Sequence, residues 1–178
     1  MNIPNQLTIF RVICIPAFVA MMLITAIPYN YYIAVAIFIV ASVTDLLDGK
    51  IARKYNLVTN FGKFMDPLAD KLLVSAALIC LCPAMIPAWV VIIIISRELF
   101  ISGFRILAAD QGIVLAAGWW GKFKTAFSMV MIVVLIVNLP LQNEVLDIIG
   151  WVLIWISLAL TVISMIEYVY KNIEVLKN

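Results

Sequence analysis

Long apolar runs, broken only by short polar punctuation, occupy nearly all of this chain. PAWVVIIIIS (87–96) is typical, and others like it follow at intervals of about one helix length. Such runs are the mark of segments that cross a bilayer, where only elements that satisfy their own backbone survive. The composition agrees: 66% of residues are hydrophobic, 12% are charged, and the mean hydropathy is +1.14, values outside the soluble globular range. The expected fold is all-α and polytopic. At about 20 residues per span, the 178 residues hold about six transmembrane helices and little else, so a single membrane domain over 1–178 is expected.

The helices are expected at 6–26, 31–54, 65–81, 87–108, 119–138 and 145–171. The turns IPYN (27–30) and CPAMIP (82–87) separate two of the pairs. PNQLT (4–8) could start the first helix as a short interfacial segment, and Pro16 would kink it. The N-terminal MNIPNQLTIFRV lacks the basic region and small-residue cleavage site of a secretory signal, so it is expected in the mature protein. Cys14, Cys80 and Cys82 sit in apolar surroundings without ligand spacing and read as packing residues. The absence of histidine removes imidazole chemistry. A base must then be Asp, Glu, Lys, Tyr or Cys.

Basic residues set the orientation. With both termini cytoplasmic, the outer loops 27–30, 82–86 and 139–144 contain no Lys or Arg, and every basic residue falls toward the inner side. The net charge of +2 gives no reason to expect nucleic acid. Arg97, Glu98 and Arg105 lie within an apolar helix, where charge must face protein or a wet cavity. An ion pair snorkelling to the surface would account for Arg97 and Glu98. It would not account for Arg105, which has no acid at i±3 or i±4.

Four of the six aspartates fall in TDLLDGKIARKYNLVTNFGKFMDPLADK (44–71). Asp45 and Asp48 are three apart on the second helix, and Asp66 and Asp70 are four apart on the third, so each pair shares a face. The intervening loop returns the chain antiparallel, so the faces can converge. Four carboxylates together repel unless cations neutralise them, and hard oxygen donors point to two divalent ions, Mg²⁺ or Mn²⁺. About 14 residues precede Asp45 in its helix, or roughly 21 Å, which puts the site near the cytoplasmic head groups. Gly49 and Gly62 would let a nucleotide or pyrophosphate approach the backbone. Helix capping and pairing with Lys50, Arg53, Lys63 and Lys71 could explain Asp66, which precedes Pro67 as an N-cap would. It does not explain Asp45, which lies mid-helix.

The pattern Asp45-x-x-Asp48-Gly49-x-x-Ala52-Arg53, eight residues, Gly62-x-x-x-Asp66-x-x-x-Asp70 resembles the signature of the CDP-alcohol phosphatidyltransferases. NIPNQLTIFR (2–11), SRELFISGFR (96–105) and GKFKT (121–125) look like the bacterial phosphatidylglycerophosphate synthases within that family, so the resemblance covers essentially the whole chain. It implies six transmembrane helices around a cytoplasm-facing polar cavity, in a homodimer of the bacterial cytoplasmic membrane. Asp45, Asp48, Asp66 and Asp70 would bind metal, with Asp70 also the general base. Gly49, Ala52, Arg53 and Gly62 would contact the cytidine diphosphate. The implied reaction joins CDP-diacylglycerol and sn-glycerol 3-phosphate, with CMP leaving.

The acceptor is an anion and needs its own basic site. Arg105, Arg97, Lys122 and Lys124 are the candidates, with Arg105 first because its fork can hold two oxygens. Thr8 and Arg11 could line the same cavity. Family members often carry Gln shortly after the GKxKT segment, where this chain reads KTAFSM with Ser128, so the departure falls on the acceptor side. Two other readings compete. The signature fixes the donor and leaves inositol phosphate, serine or phosphatidylglycerol open as acceptors. A divalent-cation transporter would also place carboxylates among helices, but on several spans near the midplane.

Overall fold

The computed structural model describes residues 3–54, 60–110, 113 and 118–173. Side chains at 3, 4, 46–54, 60, 61, 63, 64, 66 and 67 are outside that description. Among the described residues the fold is all-helical, with α1 (Ile3–Leu23), α2 (Asn30–Lys54), α3 (Asn60–Leu81), α4 (Ala88–Asp110), α5 (Trp119–Leu141) and α6 (Glu144–Lys171). Three of them, α1 over Asn5–Leu23, α5 and α6, are long and apolar enough to cross a membrane. Over its described side chains α2 is apolar from Asn30 to Asp45, and α4 carries Arg97, Glu98 and Arg105 within its length.

Two expected helix starts move. α1 begins at Ile3, so PNQLT belongs to the helix itself, with Pro4 in the first turn, where its missing N–H costs nothing. α3 begins at Asn60, so Asp66 lies inside the helix and is not its N-cap. The Asp66–Pro67 pair has the look of a helix start, but a proline is also tolerated where a helix is already under way when packing holds it, and here α3 runs through both residues.

The chain forms two compact units. The first comprises residues 1–81 with the end of α5, 136–142. Here α1 buries Thr8, Arg11, Cys14, Phe18 and Met22, a stripe at steps of three and four. The facing stripe of α2 runs through Asn30, Ala34, Phe38 and Ala41 to half-buried Asp45. The helices run antiparallel, and three contacts fix their register. Asn30 Nδ2 donates to the Met21 carbonyl at 3.0 Å, satisfying one of the carbonyls orphaned at the end of α1. The Phe18 and Phe38 rings lie 5.9 Å apart at mid-length, and Arg11 meets Asp45 at the far end. Ala34, Ala41, Ala69 and Ala77 are fully buried, and such small side chains let helices approach where lipid is as apolar as the core.

The second unit holds residues 82–135 and 143–178. Within it α4 and α6 run parallel, matched at Trp89–Trp155, Arg97–Ser164 and Phe104–Tyr168. Ile101, Phe104, Ala108 and Tyr168 form a buried apolar cluster at one end of this pair. α6 starts at a well-formed cap: Asn143 Oδ1 accepts from the Val145 and Leu146 amides at 2.9 and 3.3 Å. Glu144 and Asp147 lie in the first turn and Lys171 in the last, each favourable with the helix dipole. Asn143→Ala is expected to cost about 1 kcal/mol. It should lower the thermal midpoint of the detergent-solubilised protein by about 2–4 °C.

Candidate functional site

The aspartate motif rests on two uninterrupted helices of the first unit. α2 continues through Asp45, Asp48, Gly49, Ala52 and Arg53 to Lys54, and α3 carries Gly62, Asp66 and Asp70 in its first three turns. The three- and four-residue spacings therefore fall on continuous helical backbone, where each pair of positions shares a face. The side chains of Asp48, Gly49, Ala52, Arg53 and Asp66 lie outside the described residues. Of the rest, Gly62 is buried, and Asp45 and Asp70 are half-buried. Among the described residues no three Asp, Glu, Cys or His side chains come together; two of the four motif aspartates lie outside that set.

Asp45 has a counter-charge. Arg11 Nη1 donates to its Oδ1, with the Arg11 side chain 0% exposed and that of Asp45 28% exposed. The pairing follows from the stripes: Arg11 is on the buried face of α1, and Asp45 is four residues beyond buried Ala41 on the facing stripe of α2. Thr8, one turn before Arg11, is buried on the same face. Thirty-four residues separate Arg11 from Asp45, so no local pattern announces the contact.

The second unit gathers two of the four basic candidates around one carboxylate. Glu98 Oε1 accepts from Arg97 Nη1 at 2.8 Å and from Lys124 Nζ at 2.6 Å. Arg97 Nη2 also donates to Ser164 Oγ at 2.9 Å. Both cations are almost sealed from solvent, with side chains 9% and 3% exposed. Two buried cations thus converge on one carboxylate, a basic cluster of the kind that can take an anion. Ser164 is itself oriented, donating to the Thr161 carbonyl at 3.0 Å, while Thr161 Oγ1 donates to the Ser157 carbonyl at 2.6 Å. Ser128, one turn beyond Lys124, is buried, and among the described residues its hydroxyl has no hydrogen-bond partner.

Arg105 and Lys122 are placed differently. Arg105 is exposed, its guanidinium 5.8 Å from the Tyr168 ring centre, with Nε donating weakly to the Tyr168 hydroxyl at 3.4 Å. Lys122 is exposed over the Trp119 ring at 4.7 Å. Aromatic faces hold such cations with modest energy, about 0.5–1 kcal/mol at exposed sites. The groups that sequence reasoning missed are Glu98 as the hub of the buried cluster, Ser164 as the second partner of Arg97, and Tyr168 beneath Arg105. Glu98 beside Arg97 was the only signal of the three, and it reads equally as a surface ion pair.

The description of the CDP-alcohol phosphatidyltransferase family matches this chain over residues 1–163. A Bacillus subtilis protein named CDP-diacylglycerol–glycerol-3-phosphate 3-phosphatidyltransferase is 44% identical, covering 99% of this chain and 97% of its own length. Proteins of the same name from Haemophilus influenzae and Pseudomonas fluorescens are 42% and 38% identical. Each matches 94% of this chain, over 91% and 88% of their own lengths.

Proposed function

The chain belongs to the CDP-alcohol phosphatidyltransferase family, and from that premise we propose that it makes phosphatidylglycerophosphate. The reaction takes CDP-diacylglycerol and sn-glycerol 3-phosphate and releases CMP. One observation carries this reading: near full-length identity of 37–44% to relatives whose name states that reaction.

The enzyme is a membrane protein of six spans, with both termini and the active site on the cytoplasmic side of a bacterial cytoplasmic membrane. The complete segregation of Lys and Arg from the loops 27–30, 82–86 and 139–144 supports this orientation. So does the second unit, where exposed Trp119, Trp120 and Tyr170 lie near the inner helix ends and Trp89 near the start of α4. Aromatic side chains of this kind favour the two head-group levels. A homodimer is the assembly that the family resemblance implies.

The donor set suits hard divalent cations, since the motif offers only carboxylate oxygens and the chain has no histidine. Asp45, Asp48, Asp66 and Asp70 would hold two such ions, Mg²⁺ or Mn²⁺, which when bound supply charge compensation for a pyrophosphate. Gly49, Ala52, Arg53 and Gly62 contact the cytidine diphosphate, a role that the family signature supports. Asp70 takes the proton from the C1 hydroxyl of glycerol 3-phosphate as its oxygen attacks the β-phosphorus. The phosphate of that acceptor is held by Arg97 and Lys124, with Arg105 and Lys122 as outer cations that guide it in.

Purified protein in detergent, given CDP-diacylglycerol, Mg²⁺ or Mn²⁺ and radiolabelled glycerol 3-phosphate, is expected to move label into the lipid extract. Serine, inositol phosphate and phosphatidylglycerol run beside it. Label in lipid only with one of those would keep the family and replace the acceptor. Folded protein that releases no CMP with any acceptor would overturn the reading.

A further inference from the structure

We infer that Arg11 is a positioning residue for Asp45, fixing that carboxylate in the orientation from which it serves the divalent cations. The inference rests on the reading of Asp45 as a metal ligand, and it gives Arg11 a task other than acceptor binding.

Burial is the first ground. No part of the Arg11 side chain is exposed, although its guanidinium is charged at every accessible pH. A buried cation is costly unless it is paired, and its ion pair here is with Asp45. The second ground is rigidity. Arg11 sits on the same α1 stripe as Phe18 and Met22, and Asp45 on the same α2 stripe as Phe38 and Asn30. The Phe18–Phe38 contact and the Asn30–Met21 hydrogen bond fix that antiparallel register independently of the charges. Helix packing therefore brings the guanidinium to the carboxylate, and the carboxylate need not find its own orientation.

The third ground is chemical. Asp45 begins the metal motif, and its side chain is 28% exposed, so the buried guanidinium stands beside a carboxylate that still reaches solvent. Partners that orient metal-ligating carboxylates commonly change metal affinity by about 10–100-fold when removed. Lysine keeps the charge but loses the planar fork, so it should restore only part of the effect.

The test uses full-length protein in detergent, with Mn²⁺ binding followed by the electron paramagnetic resonance signal of the free ion. Asp45→Asn serves as the reference for loss of the ligand itself. Arg11→Met is expected to raise the Mn²⁺ concentration for half-saturation by about 10–100-fold. Arg11→Lys should fall between it and the parent, and the KM for glycerol 3-phosphate at saturating Mn²⁺ should be unchanged in both. If Arg11→Met does not fold, the Arg11→Lys isotherm decides. Isotherms that superimpose on the parent's, in folded variants, would overturn the inference. So would a raised KM for glycerol 3-phosphate with Mn²⁺ binding intact, which would return Arg11 to the acceptor site. A parent protein that binds Mn²⁺ through Asp45 but transfers no phosphatidyl group would sink the proposed reaction and leave the Arg11–Asp45 relation standing.

Discussion

Asp70→Asn is expected to reduce CMP release by about 10²–10⁴-fold, the range over which a positioned general base contributes. Asparagine keeps the size of the side chain and can still accept a hydrogen bond, but it cannot take a proton from the acceptor hydroxyl. Asp70 lies in the third turn of α3, half-buried, with fully buried Ala69 before it and Leu73 after it. The helix is thus held by neighbours that the substitution does not touch, and the thermal midpoint should stay close to that of the parent. The measurement is kcat for CMP release at saturating substrates and Mn²⁺. A variant that keeps more than about a tenth of the parent rate would remove Asp70 from the role of base.

Lys124→Met is the second large expectation, and it separates acceptor from donor. Arg97 and Lys124 both meet Glu98, and the substitution removes one of these two cations. A phosphate held by both cations then keeps only Arg97. A hydrogen bond to a charged group is worth about 1.5–3 kcal/mol, which corresponds to about a 10–150-fold rise in KM for glycerol 3-phosphate. The KM for CDP-diacylglycerol should not follow. Methionine fills much of the buried volume that the lysine stem occupied, so the fold is expected to persist. An unchanged acceptor KM would move the phosphate away from this cluster, toward Arg105 and Lys122.

The helices were legible because lipid imposes length and apolarity on every span, and these can be counted along the chain. α2, α4, α5 and α6 lie within a few residues of their expected bounds. The start of α3 was misplaced because Asp66–Pro67 looks like a cap followed by a first-turn proline, whereas the helix already runs from Asn60. The aspartate motif was legible because its spacing is local, three and four residues on one helix. The partners were not. Arg11 reaches Asp45 across 34 residues, and Arg97 reaches Ser164 across 67. Contacts of that span depend on how helices pack, which no periodicity encodes. The buried hydroxyl face of α6, Ser157, Thr161 and Ser164, was hidden by the large apolar residues around it.

The shared carboxylate of Glu98 also bears on how the protein is made. In the proposed six-span arrangement α4 must carry Arg97, Glu98 and Arg105 into the bilayer. A charged residue at the centre of an inserting helix costs about 2.5–3.5 kcal/mol. Arg97 and Glu98 can pair at once, since they are adjacent, but Lys124 and Ser164 lie on helices that the ribosome has yet to synthesise. Until α5 and α6 emerge, Arg97 and Glu98 have only each other among these partners. The last helix to leave the ribosome then brings Ser164 to Arg97, so a helix translated early gains its final polar partner only at the end of synthesis.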